Sequence, residues 1–240
     1  PGLLYKTYFN KKALTLDSIT LEAYYKSKGF INVAIKNSIT VSNNDLVSIN
    51  FQINEGERYI LTSLEILGNK ILNDSEIINL IDIKLNEYFN PANIRKELKF
   101  LKYYYMTLGK KEIVLIDETE VIGNKVHLRI TISEGKTFKI SSITIKGNKI
   151  VKDKYIDREI LFFENEIFNI EKLDNTKNNI FRTGLFTYVE ILSINDTNIN
   201  NELHLTIRLR EFKTRAINAE IGFDQIPSNI DGNESVSIIN

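Results

Sequence analysis

The sequence predicts an α+β fold built as a row of similar small units. Each unit has the order strand, helix, helix, strand, strand, and forms a three-stranded sheet covered on one face by two helices. Three observations predict it. Residues 55–69 (EGERYILTSLEILGN) and 134–148 (EGKTFKISSITIKGN) repeat one pattern at an offset of 79 in a chain of 240 residues, and a fixed internal period marks a repeat architecture. Segments that alternate apolar and polar residues flank two helix-like stretches in each copy. Glycine and asparagine recur in both copies where these stretches end.

The first strand of each copy carries Tyr59, Leu61, Leu64 and Ile66, matched by Phe138, Ile140, Ile143 and Ile145. Alternation gives one buried face. Both copies slip by one residue at Ser63 and Ser142, which predicts a bulge or bend. Gly68-Asn69 and Gly147-Asn148 then end the strand in a turn that favours positive φ.

NDSEIINLIDIKL and VKDKYIDREILFF follow as short helices, with Asp74 placed as N-cap and Glu76 in the first turn. The second helix begins after Phe89-Asn90 and Phe168-Asn169, and Pro91 takes a first-turn position where its missing N–H costs nothing. It ends at Gly109 and at Gly184, glycine being the usual stop. That offset is only 75, so the last copy's helix is expected to be about one turn shorter. Two strands close each unit: EIVLIDE and KVHLRITI, then TYVEILS and ELHLTIRL. Val126, Leu128, Ile130 and Ile132 face the helices while His127, Arg129 and Thr131 face away. Leu203, Leu205, Ile207 and Leu209 oppose His204, Thr206, Arg208 and Arg210 in the same manner. A truncated copy stands in front: Phe9-Asn10 and Gly29 lie 80 residues before Phe89-Asn90 and Gly109, followed by INVAIK and DLVSINFQI. The expected boundaries are 1–55 for the truncated unit, 56–135 and 136–212 for two complete units, and 213–240 for what comes next. A unit of this size buries only about 60% of its unfolded surface, so contacts between neighbours are expected to stabilise the row.

Composition narrows the function. Hydrophobic residues at 42% and charged residues at 26% describe a folded chain. Thirty-one basic and 31 acidic residues give a net charge of +0, unlike a general nucleic-acid binder. There is no cysteine, and the two histidines sit on equivalent strands of different copies. No HExxH, GxSxG, GxxxxGK[ST] or GxGxxG motif is present. No catalytic, cofactor-binding or metal-binding residue is expected. No run of about 18 apolar residues exists to cross a bilayer as a helix.

Strand–helix–helix–strand–strand units that open on EG, alternate, and reach GN resemble POTRA domains. The registered copies resemble the tandem POTRA region of the BamA/TamA outer-membrane protein assembly superfamily, over nearly the whole chain. Two-partner secretion exporters carry two such units, and the partial third unit here favours BamA/TamA. In AINAEIGFD (216–224), Ile217, Ala219, Ile221 and Phe223 alternate with Asn218, Glu220 and Gly222, the pattern of a transmembrane β-strand. Because the last POTRA of the look-alike family runs into a barrel, 213–240 is expected to begin a C-terminal transmembrane β-barrel. The resemblance thus implies a fragment of a Gram-negative outer-membrane protein, with this region in the periplasm.

The resemblance also puts the second strand of each unit at the open side of its sheet, at 31–36, 112–118 and 187–193. An edge strand shows unpaired N–H and C=O groups to which an extended client can add a strand. The expected client-binding residues are Ile113, Val114, Leu115 and Ile116, the most apolar stretch, with Tyr188, Val189 and Glu190. The clients implied are unfolded outer-membrane proteins. Glu164 and Glu166, in the inter-helix loop FFENEIFN, are expected to dock accessory assembly lipoproteins. A KH-like nucleic-acid module shares the element order, yet neither KLNEYFNP nor FFENEIFN has the GXXG loop it needs. Lys102, Lys110 and Lys111 would form a small basic patch beside Tyr103, Tyr104 and Tyr105. Consecutive helix positions point in different directions, which leaves at least one of these tyrosines for the core.

Overall fold

The computed structural model describes residues 9–42, 47–195 and 201–212. Helix α1 (Lys11–Ser27) precedes strands β1 (Ala34–Val41) and β2 (Val47–Asn54). The middle unit runs β3 (Ile60–Leu67), α2 (Asp74–Leu80), β4 (Glu87–Tyr88), α3 (Pro91–Thr107), β5 (Val114–Ile122) and β6 (Lys125–Ser133). The last unit runs β7 (Lys139–Lys146), α4 (Asp153–Asp157), α5 (Ile170–Arg182), β8 (Phe186–Asn195) and β9 (Glu202–Glu211). The sheets have the orders β1-β2, β4-β3-β6-β5 and β7-β9-β8. In both complete units the third strand is central, parallel to the first and antiparallel to the second. The two-residue β4, beside β3, is an addition to the three strands read from the sequence.

The repeated motif has a local cause at each residue. The pairing shifts register between Leu61 and Ser63 and between Ile140 and Ser142, so the slip in the alternation is a bulge. Gly68 has φ +83° and Gly147 φ +99°, and an added Cβ would lie 2.3 Å from the Ile132 carbonyl oxygen and 2.0 Å from that of Leu209. Backbone on backbone leaves room only for glycine. Asn69 Nδ2 donates to the Leu72 carbonyl (2.9 Å) and to Asp74 (2.7 Å), and Asn148 repeats this with Val151 (2.9 Å) and Asp153 (2.6 Å). Asp74 is therefore not the N-cap. That role falls to Asn73, which forms a capping box with Glu76: Glu76 N–H donates to the Asn73 side chain, and Asn73 N–H to the Glu76 carboxylate.

A glutamate at the end of the third strand closes each complete unit, and in the middle unit it is the glutamate of an EG pair. Glu134 accepts from the N–H groups of Lys70 (2.6 Å) and Ile71 (2.8 Å). Glu211 accepts from Lys149 (2.7 Å), Ile150 (2.9 Å) and Val151 (2.8 Å). Each carboxylate ties the end of a third strand to the turn after the first strand, where N–H groups would otherwise be orphaned. The pattern EG…GN thus straddles two units.

Asn10, Asn90 and Asn169 cap α1, α3 and α5 through their side-chain oxygens, and Pro91 opens α3. The helices have 17, 17 and 13 residues, the last about one turn shorter, as the spacing predicts. Val126, Leu128, Ile130 and Ile132 pack on Ile77, Leu101 and Tyr105. Leu203, Leu205, Ile207 and Leu209 pack on Ile156, Phe162, Phe168 and Ile180. Of the three consecutive tyrosines, Tyr105 is buried, Tyr104 half-buried and Tyr103 exposed. Burial, reinforced by the neighbouring Glu134 carboxylate, pushes the Tyr105 hydroxyl up to about 12.

Candidate interaction edges and docking loop

Strand β5 lies at one edge of its sheet and pairs only with β6 among the described residues. It begins later than the window 112–118, because Ile113 N–H closes a turn onto the Lys110 carbonyl (3.2 Å). The same turn, Val33 N–H to the Phe30 carbonyl (3.2 Å), delays β1 to Ala34. Ile113 precedes the strand and is 2% exposed in the core, and Leu115 packs against that core. Val114 and Ile116 stand on the other face, 48% and 53% exposed. Alternation thus divides the four residues two and two.

The open face around β5 is polar. Arg129 Nε meets Glu65 at 2.6 Å, and its guanidinium lies 3.7 Å from Glu118. Ser63, at the bulge, lies 2.6 Å from His127 Nδ1, and Ser142 repeats the contact with His204 Nδ1 at 2.5 Å. The sequence reading missed these pairs, although both copies place serine at the slip and histidine at the same point of the third strand.

Strand β8 is the edge of the last sheet. Val189 is buried in the core, whereas Tyr188 and Glu190 face outward opposite Arg210 and Arg208. Arg210 lies over the Tyr188 ring at 5.4 Å, and Arg208 lies 3.9 Å from Glu190. A hydrogen bond to the Glu190 carboxylate holds the Tyr188 hydroxyl above the usual tyrosine range. This edge is partly occupied: Lys111 Nζ, from the preceding unit, donates to the Ser193 carbonyl at 3.3 Å. Burial lowers the Lys111 pKa. Lys110 is buried, with Nζ on the Gly135 carbonyl at 3.2 Å. These two lysines bind the junction and do not join Lys102 in an exposed patch.

The loop between α4 and α5 runs antiparallel to the start of β7. Asn165 N–H donates to the Ile140 carbonyl (2.7 Å) and Ile140 N–H to the Glu166 carbonyl (2.8 Å). Glu164 is exposed, and its carboxylate accepts weakly from Ile143 N–H at 3.4 Å. Glu166 is engaged within the loop, 2.9 Å from Lys172 and 3.3 Å from Phe163 N–H. The hydrogen bond from Lys172 holds its carboxyl below the usual glutamate range. Among the described residues no cluster of three or more His, Cys, Asp or Glu is arranged to hold a metal. No described helix is long and apolar enough to cross a membrane, which says nothing of spanning strands.

The units are joined by one repeated seam. Tyr59 N–H donates to the Gly29 carbonyl at 2.9 Å, and Phe138 N–H to the Gly109 carbonyl at 3.0 Å. At the first seam Arg58 stacks 3.1 Å from the Tyr88 ring centroid and donates from Nε to the Lys28 carbonyl at 2.7 Å. At the second, Met106 packs against both cores, and Tyr103 donates to Asp174 at 3.1 Å.

A family model described as POTRA, surface antigen variable number repeat, matches residues 59–135 and 138–211. The chain belongs to the POTRA family. The chain is 26% identical over 228 residues to the outer membrane protein assembly factor BamA of Buchnera aphidicola subsp. Acyrthosiphon pisum, covering 92% of this chain and 37% of that protein. It is 35% identical to BamA of Neisseria meningitidis serogroup B over 116 residues, 47% of this chain and 15% of that one. The chain thus spans about a third of the length of the Buchnera relative. The crystal structure of POTRA domains 3–5 of Haemophilus influenzae BamA superposes with a TM-score of 0.65 at 20% identity, covering 87% of this chain and 84% of that one. It shares the POTRA fold of mixed helices and sheets seen here.

Proposed function

We propose that this chain is the periplasmic POTRA region of an outer-membrane protein assembly factor in a Gram-negative bacterium, and that it works by binding and not by catalysis. In this reading residues 1–55, 56–135 and 136–212 are successive units and 213–240, outside the described residues, begins the transmembrane barrel. The observation that carries it is the β5 edge: a nine-residue outer strand with Val114 and Ile116 exposed. Main-chain pairing carries little sequence information, which suits many unfolded clients. Ile113 and Leu115 hold that edge to the core. Tyr188 and Glu190 present the β8 edge, which Val189 anchors. Glu164 docks an accessory lipoprotein, on a loop that Glu166 shapes through Lys172.

Photocrosslinkers placed singly at Ile116 and Tyr188 test the client role. Adducts with unfolded outer-membrane proteins at either site support it. Crosslinking no greater than at exposed Lys99, on the helix side, overturns it. Glu164→Lys tests docking: loss of the lipoprotein complex supports it, and an intact complex removes it.

A further inference from the structure

The two complete units differ along the free side of their first strands. Helix α2 has seven residues and α4 only five. In the middle unit Ile66 and Ile81 are buried at 8% and 5%. Their counterparts 79 residues on, Ile145 and Ile160, are half-exposed. The shorter helix leaves a groove of about 650 Å³ beside β7. Ile143, Ile145, Ile160 and exposed Phe163 give it apolar walls, Asp157 and Glu164 stand at its rim beside Asp153, which is held by Asn148, and among the described residues no cation lines it. The corresponding positions of the middle unit differ in kind: Ile78 stands for Asp157, Lys84 for Phe163 and Leu85 for Glu164.

The backbone along this groove is also incompletely paired. Beyond Ile140, β7 pairs only with β9 among the described residues. Ile143 N–H points away from β9, toward Glu164 Oε1 at 3.4 Å, a length at the limit of a hydrogen bond. Glu164 thus stands where the carbonyl of an added strand would bond. Alternation along the strand turns Ile145 N–H to the same side.

We propose that this groove receives an extended peptide segment with apolar residues at alternate positions and a lysine or arginine beside them. Its backbone replaces Glu164 at Ile143 N–H and continues to Ile145. Its apolar side chains lie against Ile160 and Phe163. Its cation takes up the released Glu164 carboxylate together with Asp157. Charge complementarity selects the basic partner: two carboxylates at an apolar rim repel an acidic segment. This deepens the docking role given to Glu164 and rests on it.

The test uses the 240-residue chain and three fluorescein-labelled heptapeptides. One is Lys-Val-Thr-Val-Thr-Val-Lys, the second has glutamate for both lysines, and the third is the lysine peptide N-methylated at alternate amides. Fluorescence anisotropy is expected to show binding by the lysine peptide, weakened about tenfold or more in each of the other two. Asp157→Lys with Glu164→Lys, checked for an unchanged melting temperature, is expected to weaken it by a similar factor. The N-methyl arm needs no variant and stands if the double variant unfolds. Amide NMR shifts are expected at Ile143 and Ile145. Equal binding by the acidic or N-methylated peptide, no binding, or shifts confined to β5 and β8 overturns the proposal. If the peptide fails while Glu164→Lys still breaks the lipoprotein complex, the groove is wrong and the docking role stands. An intact complex with Glu164→Lys removes the docking role itself.

Discussion

The backbone N–H of Phe138 donates to the carbonyl of Gly109 at 3.0 Å, so the end of one unit's second helix is bonded to the start of the next unit's first strand. Gly109 has φ +88°, and an added Cβ would lie 2.6 Å from Ile167 Cγ2 and 3.0 Å from Thr137 Cγ2. Gly109→Ala is expected to destabilise by about 2–3 kcal/mol, the left-handed backbone cost plus the clash. Gly184 has φ +70° with nothing within 4 Å of its Cβ position. Gly184→Ala is therefore expected to cost only about 1–2 kcal/mol. Urea unfolding of both variants checks the order, and a reversal would remove the steric argument.

Glu211 gives a pH dependence. Backbone N–H donors, Val151 first, lower its pKa below the usual glutamate range. The charged form is favoured in the folded state, so its contribution is present above the unfolded value of about 4.3. It is lost as pH falls through the lower folded value. Glu211→Gln is expected to melt at a lower temperature than the parent at pH 7, with the two converging once the pH has fallen below the lowered folded value. A gap that persists at acid pH would assign the difference to packing.

The two faces of the edge strands should respond differently to substitution. Ile116 is exposed on β5, so Ile116→Lys is expected to change stability by no more than about 0.5 kcal/mol while blunting the edge to strand addition. Val189 is buried, and Val189→Ala is expected to cost about 2 kcal/mol. Denaturant titration with client crosslinking separates the two.

Arg58 should tolerate lysine poorly. Its guanidinium covers the Tyr88 ring at 3.1 Å while Nε bonds the Lys28 carbonyl, and an ammonium reproduces neither the planar stack nor the directed donor. A double-mutant cycle of Arg58→Lys with Tyr88→Leu is expected to give a coupling of about 0.5–1 kcal/mol. Additive effects would show the stack to be incidental.

What the sequence revealed was what repeats locally. The apolar sets of β6 and β9, the slip at Ser63 and Ser142, and the asparagine-glycine turns all follow from short-range geometry written in both copies. Asp74 was misplaced by one residue because Asn73 and Glu76 satisfy the capping-box spacing. Ile113 looked like strand because an apolar run does not mark where a turn ends and pairing begins. The Lys111 bond to Ser193 spans 82 residues and depends on how two units meet, which no periodicity encodes. Glu134 was visible as half of EG, but its partners lie 63 and 64 residues earlier, beyond any local pattern.

The closing glutamates carry an evolutionary consequence. Each complete stretch brings its own acid to lock its own turn, as Glu134 and Glu211 do. Gly29 and Gly109 each offer the following stretch a carbonyl for its first aromatic residue. Copying a block of about 79 residues by recombination therefore regenerates the same backbone bond and closing carboxylate on either side, leaving only side-chain contacts that differ between the seams, such as Arg58 on Tyr88 and Tyr103 on Asp174, to be refitted.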